Sequence, residues 1–126
     1  MASPVVHFEI MAKPGEKPAL QEFYRKTFGW NIENVPGPYP YGMLVKPDDE
    51  KGIGGAVDEV ETAGDAQVMI YIEVADPQAA LDEAIANGGT KVKDVVTIPG
   101  MVTMAVFKDP AGNAIGLVAS ETPPEA

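Results

Sequence analysis

Hydrophobic and polar residues alternate in two segments of the chain that resemble each other. The first segment is VVHFEI, residues 5–10, and the second is MIYIEV, 64 positions further on at residues 69–74. Alternation with a period of two residues is typical of β-strands with one face buried. The repeat therefore predicts two similar modules, each of which opens with a strand.

A helical pattern follows each of these strands. The first helix is predicted to begin at Pro18, a favoured residue for the first turn, and to end at Gly29. The second is predicted to begin at Pro77 behind an Asp76 cap and to end at Gly88-Gly89. The buried face of the first helix is expected to consist of the apolar residues at helical spacing, which are Leu20, Phe23, Tyr24 and Phe28.

Three further strands are predicted after each helix, so each module has the order βαβββ. They span residues 30–35, 41–46 and 53–57 in module one (4–60), and residues 91–98, 102–108 and 114–119 in module two (66–120). One helix covers only one face of a sheet, and the other face must be covered or line a cavity. The predicted fold is therefore α+β, with two tandem βαβββ modules forming a curved mixed sheet around a cleft. We expect a single domain over residues 1–126, with a disordered tail at 121–126.

The amino-acid composition indicates where in the cell the protein is expected to be located. The chain has no cysteine, which excludes disulfides, thiolate metal ligands and a cysteine nucleophile. It opens without a basic segment followed by an apolar one, and no apolar run approaches the ~20 residues of a membrane helix. We therefore expect a cytoplasmic protein that has no membrane partner.

The net charge disfavours some classes of binding partner. The formal net charge is −10, and both halves of the chain are acidic. Nucleic acids and anionic membranes are poor partners for such a surface. The acidity attracts a cationic ligand or serves only to keep the protein soluble, and the sequence leaves both open.

Three motifs resemble the vicinal-oxygen-chelate superfamily of glyoxalases, bleomycin-resistance proteins and dioxygenases. They are FYRKTFGW at residues 23–30, EVADPQAALDEAIANGG at 73–89 and DPAGN at 109–113. The resemblance covers residues 4 to 120 and implies the paired βαβββ fold. It does not by itself fix the chemistry, because members of the superfamily include enzymes and non-catalytic drug-binding proteins.

The resemblance also implies where a divalent metal would be bound. Enzymes of this superfamily take His, Gln or Glu ligands from four strands, and the matching positions here are Val5, Gly54, Met69 and Gly116. Only methionine has a donor atom, a soft thioether unsuited to an oxygen and nitrogen site. We therefore predict that the protein binds no metal and no other cofactor.

Polar and aromatic residues supply the candidate site. His7 is the only histidine and shares a strand face with Glu9, while Tyr71 and Glu73 follow the same parity in the second module. These residues could form a metal site or an acid–base pair, or they could simply be a polar cleft wall with a histidine hydrogen-bonded at the rim of a strand. The predicted ligand-binding residues are His7, Trp30, Tyr39, Tyr41, Met43, Met69, Tyr71 and Met104.

Two functions are consistent with these features. The favoured hypothesis is a metal-free homodimeric protein that sequesters an aromatic or amphipathic small molecule, as the antibiotic-resistance members of the superfamily do. The alternative is a lyase, isomerase or dioxygenase that uses His7 with nearby carboxylates such as Glu9. A scaffold without a ligand would require a filled cleft.

Overall fold

A computed structural model describes residues 2–37, 40–46, 50–60, 64–100 and 102–120 of the protein. The chain forms two compact units. One runs from His7 to Met69 and is called the N-terminal unit; the other combines the residues up to Val6 with those from Ile70 onwards and is called the C-terminal unit.

The described residues contain eight strands and two helices in the order that the repeat predicts. The first half consists of β1 (Val5–Ala12), α1 (Lys17–Phe28), β2 (Ile32–Val35), β3 (Tyr41–Leu44) and β4 (Gly54–Glu59). The second half consists of β5 (Gln67–Glu73), α2 (Pro77–Ala86), β6 (Thr90–Ile98), β7 (Val102–Lys108) and β8 (Ala114–Ser120). The α+β class and the βαβββ order of both modules are confirmed.

The ends of the helices follow the predicted capping residues. Gly29 takes the left-handed conformation, with φ at 68°, and its N–H donates to the carbonyl of Arg25. The carboxylate of Asp76 accepts hydrogen bonds from the amides of Gln78 and Ala79 at the start of α2. These local contacts satisfy backbone groups that the helices leave unpaired at their ends.

The predicted buried face of α1 is wrong for two residues. Phe23 and Phe28 are 54% and 60% exposed, whereas Gln21 is only 2% exposed. The Gln21 amide is buried because it donates to the carbonyl of Val57 and exchanges hydrogen bonds with the side-chain amide of Asn34. A buried polar side chain is stable when its hydrogen-bond partners are present. The spacing of apolar residues along the helix does not reveal such a residue.

The strands of the N-terminal unit follow the order β2-β3-β4-β1. Strand β1 is parallel to β4, and the other neighbouring strands are antiparallel. In this register His7 lies beside Gly54, and Ala56 lies between Glu9 and Met43. Two small residues of β4 thus lie beside His7 and Glu9 of β1.

The C-terminal unit repeats this arrangement with the strand order β5-β8-β7-β6. Strands β5 and β8 are parallel, while β8, β7 and β6 are antiparallel. Helix α2 packs on this sheet through Leu81, which is 1% exposed and contacts Ala105 and Leu117. These three residues form the centre of the apolar core of this unit.

Some predictions fall on residues that the structure does not describe. Tyr39 and the tail at 121–126 lie outside the described ranges. Within those ranges, neither helix is long and apolar enough to span a membrane.

Candidate functional site

Tyr41 joins the two polar residues of β1 into one cluster. Its hydroxyl lies 2.8 Å from Nε2 of His7 and donates to the Glu9 carboxylate at 2.5 Å. The imidazole and phenol rings are stacked, with centroids 6.1 Å apart. We call these three residues the His–Tyr–Glu cluster; all of them are half-buried and belong to the N-terminal unit.

The fold explains why these side chains meet. Alternation along β1 places His7 and Glu9 on one face of the sheet, and Tyr41 comes from β3, on the far side of β4. The β4 positions beside His7 and Glu9 are Gly54 and Ala56. Because these residues are small, the long Tyr41 side chain can reach across the middle strand to β1.

The hydrogen bonds also fix the protonation pattern of the cluster. A tyrosine hydroxyl has one hydrogen, and the short contact to the Glu9 carboxylate is typical of a charge-assisted bond that uses it. The Tyr41 oxygen must therefore accept from His7, so Nε2 of His7 carries a hydrogen. This assignment follows from the heavy-atom geometry.

Burial keeps the imidazole neutral. Loss of solvation lowers the pKa of His7 below its ordinary value, and the nearby negative charge of Glu9 opposes this only in part. Since a buried imidazolium is disfavoured, the unfolded chain binds a proton more readily than the folded one. The stability that depends on neutral His7 is present above the ordinary value of about 6.5 and is lost as the pH falls below it.

We expect this effect in the pH dependence of unfolding. As the pH falls from 7.5 to 5.5, the wild type should lose more unfolding free energy than His7→Gln, which keeps a side-chain amide donor near Tyr41 but cannot titrate. Urea denaturation at several pH values measures the difference, and the other titrating groups serve as an internal control because both proteins contain them. Parallel pH profiles would show that His7 titrates alike in the folded and unfolded states.

The residues at the implied metal positions do not fit a metal. Val5, Gly54 and Gly116 have no side-chain donor, and Met69 is 5% exposed with its sulfur 3.5 Å from the Gln67 amide nitrogen. No three His, Asp or Glu side chains converge as a possible metal site in the described part of the chain. The donor chemistry of these positions thus disagrees with the metal site that the fold implies.

The two glycines at these positions have different surroundings. A Cβ atom at Gly116 would collide with the ring of Tyr71, its neighbour in register on β5. At Gly54, beside His7, a Cβ atom would meet nothing within 4 Å. Gly116 therefore accommodates a buried tyrosine, whereas Gly54 adjoins open space next to the His–Tyr–Glu cluster.

The structure does not bring Trp30 to this cluster. Its ring stacks on Tyr24 and also contacts Phe28 and Phe8. Phe8 alternates with His7 and Glu9 along β1 and so points to the opposite face, the one that α1 covers. Trp30 belongs to the aromatic contacts between α1 and the sheet.

The other predicted site residues are distributed over both units. Met43 lies two residues after Tyr41 on β3 and is 36% exposed, so it shares the face of the cluster. In the C-terminal unit, Tyr71 is 6% exposed over Gly116, and Met104 is half-buried on β7. By strand alternation Met104 lies on the face opposite Ala105, which packs against α2.

Two polar residues close to the cluster were missed by the sequence analysis. Asp58 is 7% exposed and accepts a hydrogen bond from the amide of Gly42, the residue after Tyr41. Gln21, described above, packs against the same glycine. Neither residue belongs to a recognisable motif. The only signal in the sequence was the helical spacing of Gln21, which lies one turn before Tyr24 and Arg25 and so shares their side of α1.

Comparison with known sequences identifies the family. The family model of the glyoxalase-like domain matches residues 9–118. The chain is also 31% identical over 110 residues to a glyoxylase-like domain-containing protein of Didymella fabae, which covers 83% of this chain and 84% of that protein. The chain therefore belongs to the glyoxalase-like domain family, which confirms the resemblance to the vicinal-oxygen-chelate superfamily.

Solved structures agree on the fold. A variant of Streptomyces coelicolor methylmalonyl-CoA epimerase, in complex with 2-nitronate-propionyl-CoA, has a TM-score of 0.67 at 19% identity and covers 97% of this chain and 100% of that one. A glyoxalase/bleomycin resistance protein/dioxygenase superfamily member from Vibrio splendidus has a TM-score of 0.60 at 13% identity, covering 94% of this chain and 100% of that one. At these identities the likeness shows the fold alone.

Proposed function

We propose that this protein binds a small molecule without a metal, at the sheet face of the N-terminal unit that carries His7, Glu9 and Tyr41. The observation that carries the proposal is a half-buried, hydrogen-bonded polar cluster beside open space at Gly54. Ligand sites typically combine apolar walls with a few fixed polar groups. The four donor-poor metal positions support a metal-free site.

The surrounding groups define the chemical class of the ligand. The Glu9 carboxylate favours a hydrogen-bond donor or a positive charge, and the net charge of −10 attracts cations over a longer range. The Tyr41 ring and the exposed Met43 thioether favour an aromatic or otherwise apolar body. We therefore propose an aromatic or amphipathic ligand that carries a cationic or donor group.

A pair of dyes tests this class. Rhodamine 6G is an aromatic cation, and fluorescein is an aromatic anion of comparable ring size, so fluorescence anisotropy should report binding of the first and not the second. Gly54→Val should weaken rhodamine 6G binding at least about tenfold, because its side chain fills the open space beside His7. Valine suits a strand, so this variant should fold normally.

Val92→Ala is the control, since Val92 is 53% exposed on β6 in the C-terminal unit and should leave dye binding unchanged. A panel of aromatic and amphipathic antibiotics extends the screen to the resistance function. The proposal is wrong if neither rhodamine 6G nor any compound of the panel binds, or if Gly54→Val binds as tightly as the wild type.

The proposal includes two expectations that the sequence raised. A homodimer is supported by the resemblance to dimeric members of the superfamily. A cytoplasmic location is supported by the absence of cysteine.

The His–Tyr–Glu cluster favours proton transfer as a second candidate function. The Glu9 carboxylate would remove a proton from the carbon next to a substrate carbonyl. The protonated Glu9 would release the Tyr41 hydroxyl, whose single hydrogen would then turn to the enolate oxygen, and Glu9 would finally return the proton to carbon. Methylmalonyl-CoA, named with the similar epimerase structures, is a suitable first compound. The test is whether the α-carbon of this compound takes up deuterium in D₂O. If the wild type catalyses the uptake and Glu9→Gln does not, the function is proton transfer and not sequestration.

A further inference from the structure

Tyr41 is the first residue of β3, and its hydroxyl makes the hydrogen bonds to both His7 and Glu9 in the His–Tyr–Glu cluster. The hydroxyl lies at the far end of a long side chain, so a small rotation of the backbone moves it out of reach of both partners. The backbone at Tyr41 must therefore be held firmly. On one side it is held by pairing with Val35 of β2.

On the other side, the backbone is held by a side chain. The amide of Gly42 donates to Oδ2 of Asp58 at 2.8 Å, and this hydrogen bond is buried. Gly42 itself cannot shift towards α1, because the Val57 carbonyl and the Gln21 amide already fill the space where a Cβ would be. Asp58 thus fixes the residue adjoining Tyr41 in a confined position.

The Asp58 carboxylate is itself well anchored. Its Oδ1 accepts from the amide of Glu59 at 2.8 Å and pairs with the Lys17 ammonium at 3.2 Å, at the start of α1. Its residue is 7% exposed, and hydrogen bonds to a carboxylate are stronger than those to a neutral oxygen. Every oxygen of this side chain is therefore committed to holding the backbone or the helix.

We propose that Asp58 is the positioning residue of the His–Tyr–Glu cluster. It does not touch a ligand; it holds Gly42, and through Gly42 it sets the location of the Tyr41 hydroxyl. The inference rests on the proposed function only where ligand affinity is measured, because the geometry of the cluster can be followed without a ligand.

His7 reports on that geometry, because a single histidine gives a single imidazole Cε1–H signal in the NMR spectrum of the untagged protein. The stacked Tyr41 ring shifts this signal and contributes to the burial of the imidazole. In Asp58→Ala we expect the signal to move towards the chemical shift of unfolded chains and the pKa of His7 to rise towards its ordinary value. Rhodamine 6G binding should weaken about tenfold in the same variant.

Two further variants separate positioning from general stability. Asp58→Asn keeps a neutral acceptor for the Gly42 amide and should restore most of the wild-type His7 signal. Lys17→Met removes the ion pair to α1 but leaves the bond from Asp58 to Gly42, so it should lower stability without moving the His7 signal.

The outcomes decide between the alternatives. If folded Asp58→Ala keeps the wild-type His7 shift and pKa, or if Lys17→Met moves them as far as Asp58→Ala does, Asp58 has no positioning role. If Asp58→Ala does not fold, Asp58→Leu takes its place, because leucine has a similarly branched side chain and no acceptor for the Gly42 amide; a wild-type His7 signal in folded Asp58→Leu would show that Asp58 has no positioning role. If the wild type binds no dye and no antibiotic, the proposed function is wrong. The His7 signal, measured without a ligand, would still test the positioning role of Asp58.

Discussion

Replacing Gly42 by alanine is expected to lower the free energy of unfolding by about 2–4 kcal/mol, the upper range for overpacking combined with a lost buried hydrogen bond. The added methyl group would collide with the Val57 carbonyl and the Gln21 amide nitrogen. The carbonyl belongs to the backbone of the central strand β4 and cannot move aside. Relief requires β3 to shift or the buried hydrogen bond from Gln21 to Val57 to break.

Gly54→Ala is the matched control for this prediction. It makes the same chemical change on the neighbouring strand, but its methyl group meets nothing within 4 Å, and alanine in a strand costs less conformational entropy than glycine. Its unfolding free energy, from urea denaturation, should equal or slightly exceed that of the wild type. Similar losses in the two variants would show that glycine at position 42 is not required by its surroundings.

Replacing Leu81 by alanine is expected to cost about 2–5 kcal/mol of stability, the usual range for a leucine in a closed core. Leu81 is 1% exposed on α2, between Ala105 and Leu117. Both neighbours are fixed on central strands of the C-terminal unit, and the methyl side chain of Ala105 is too short to refill the space. The loss therefore combines the removed apolar contacts with the cavity that remains.

Ile85→Ala tests whether that loss reflects burial at position 81. Ile85 lies one turn later on α2 and is 41% exposed, so its truncation should cost no more than about 1 kcal/mol. The same denaturation experiment compares the two variants. Equal losses would place the core of this unit elsewhere than around Leu81.

These two predictions concern different parts of the molecule with different consequences. Loss of Leu81 should weaken the C-terminal unit and leave the geometry of the His–Tyr–Glu cluster intact wherever the N-terminal unit stays folded. The Gly42→Ala change acts beside Tyr41 and should disturb the cluster together with stability. The His7 imidazole signal distinguishes the two effects.

The candidate site could be predicted only in part. Strand parity correctly placed His7 and Glu9 on one face, because alternation is a local property of an extended chain. Tyr41 was identified as a nearby aromatic residue, but its hydrogen bonds to both residues depend on the register of three strands that are distant in sequence. Trp30 was expected in the same site, and the structure instead places it against Phe8 on the face covered by α1.

The sequence by itself determined the elements and their order. Capping residues such as Asp76 and Gly29 act within one turn of the chain, and the alternation of apolar and polar residues is also a local property of the sequence. These local patterns and their repeat therefore predicted both βαβββ modules and the family. Only the tertiary structure decided which face of α1 is buried, that Gly54 is open while Gly116 lies under Tyr71, and that Asp58 holds the residue next to Tyr41. These features depend on hydrogen bonds and steric contacts between residues remote in sequence, whose partners no local pattern specifies.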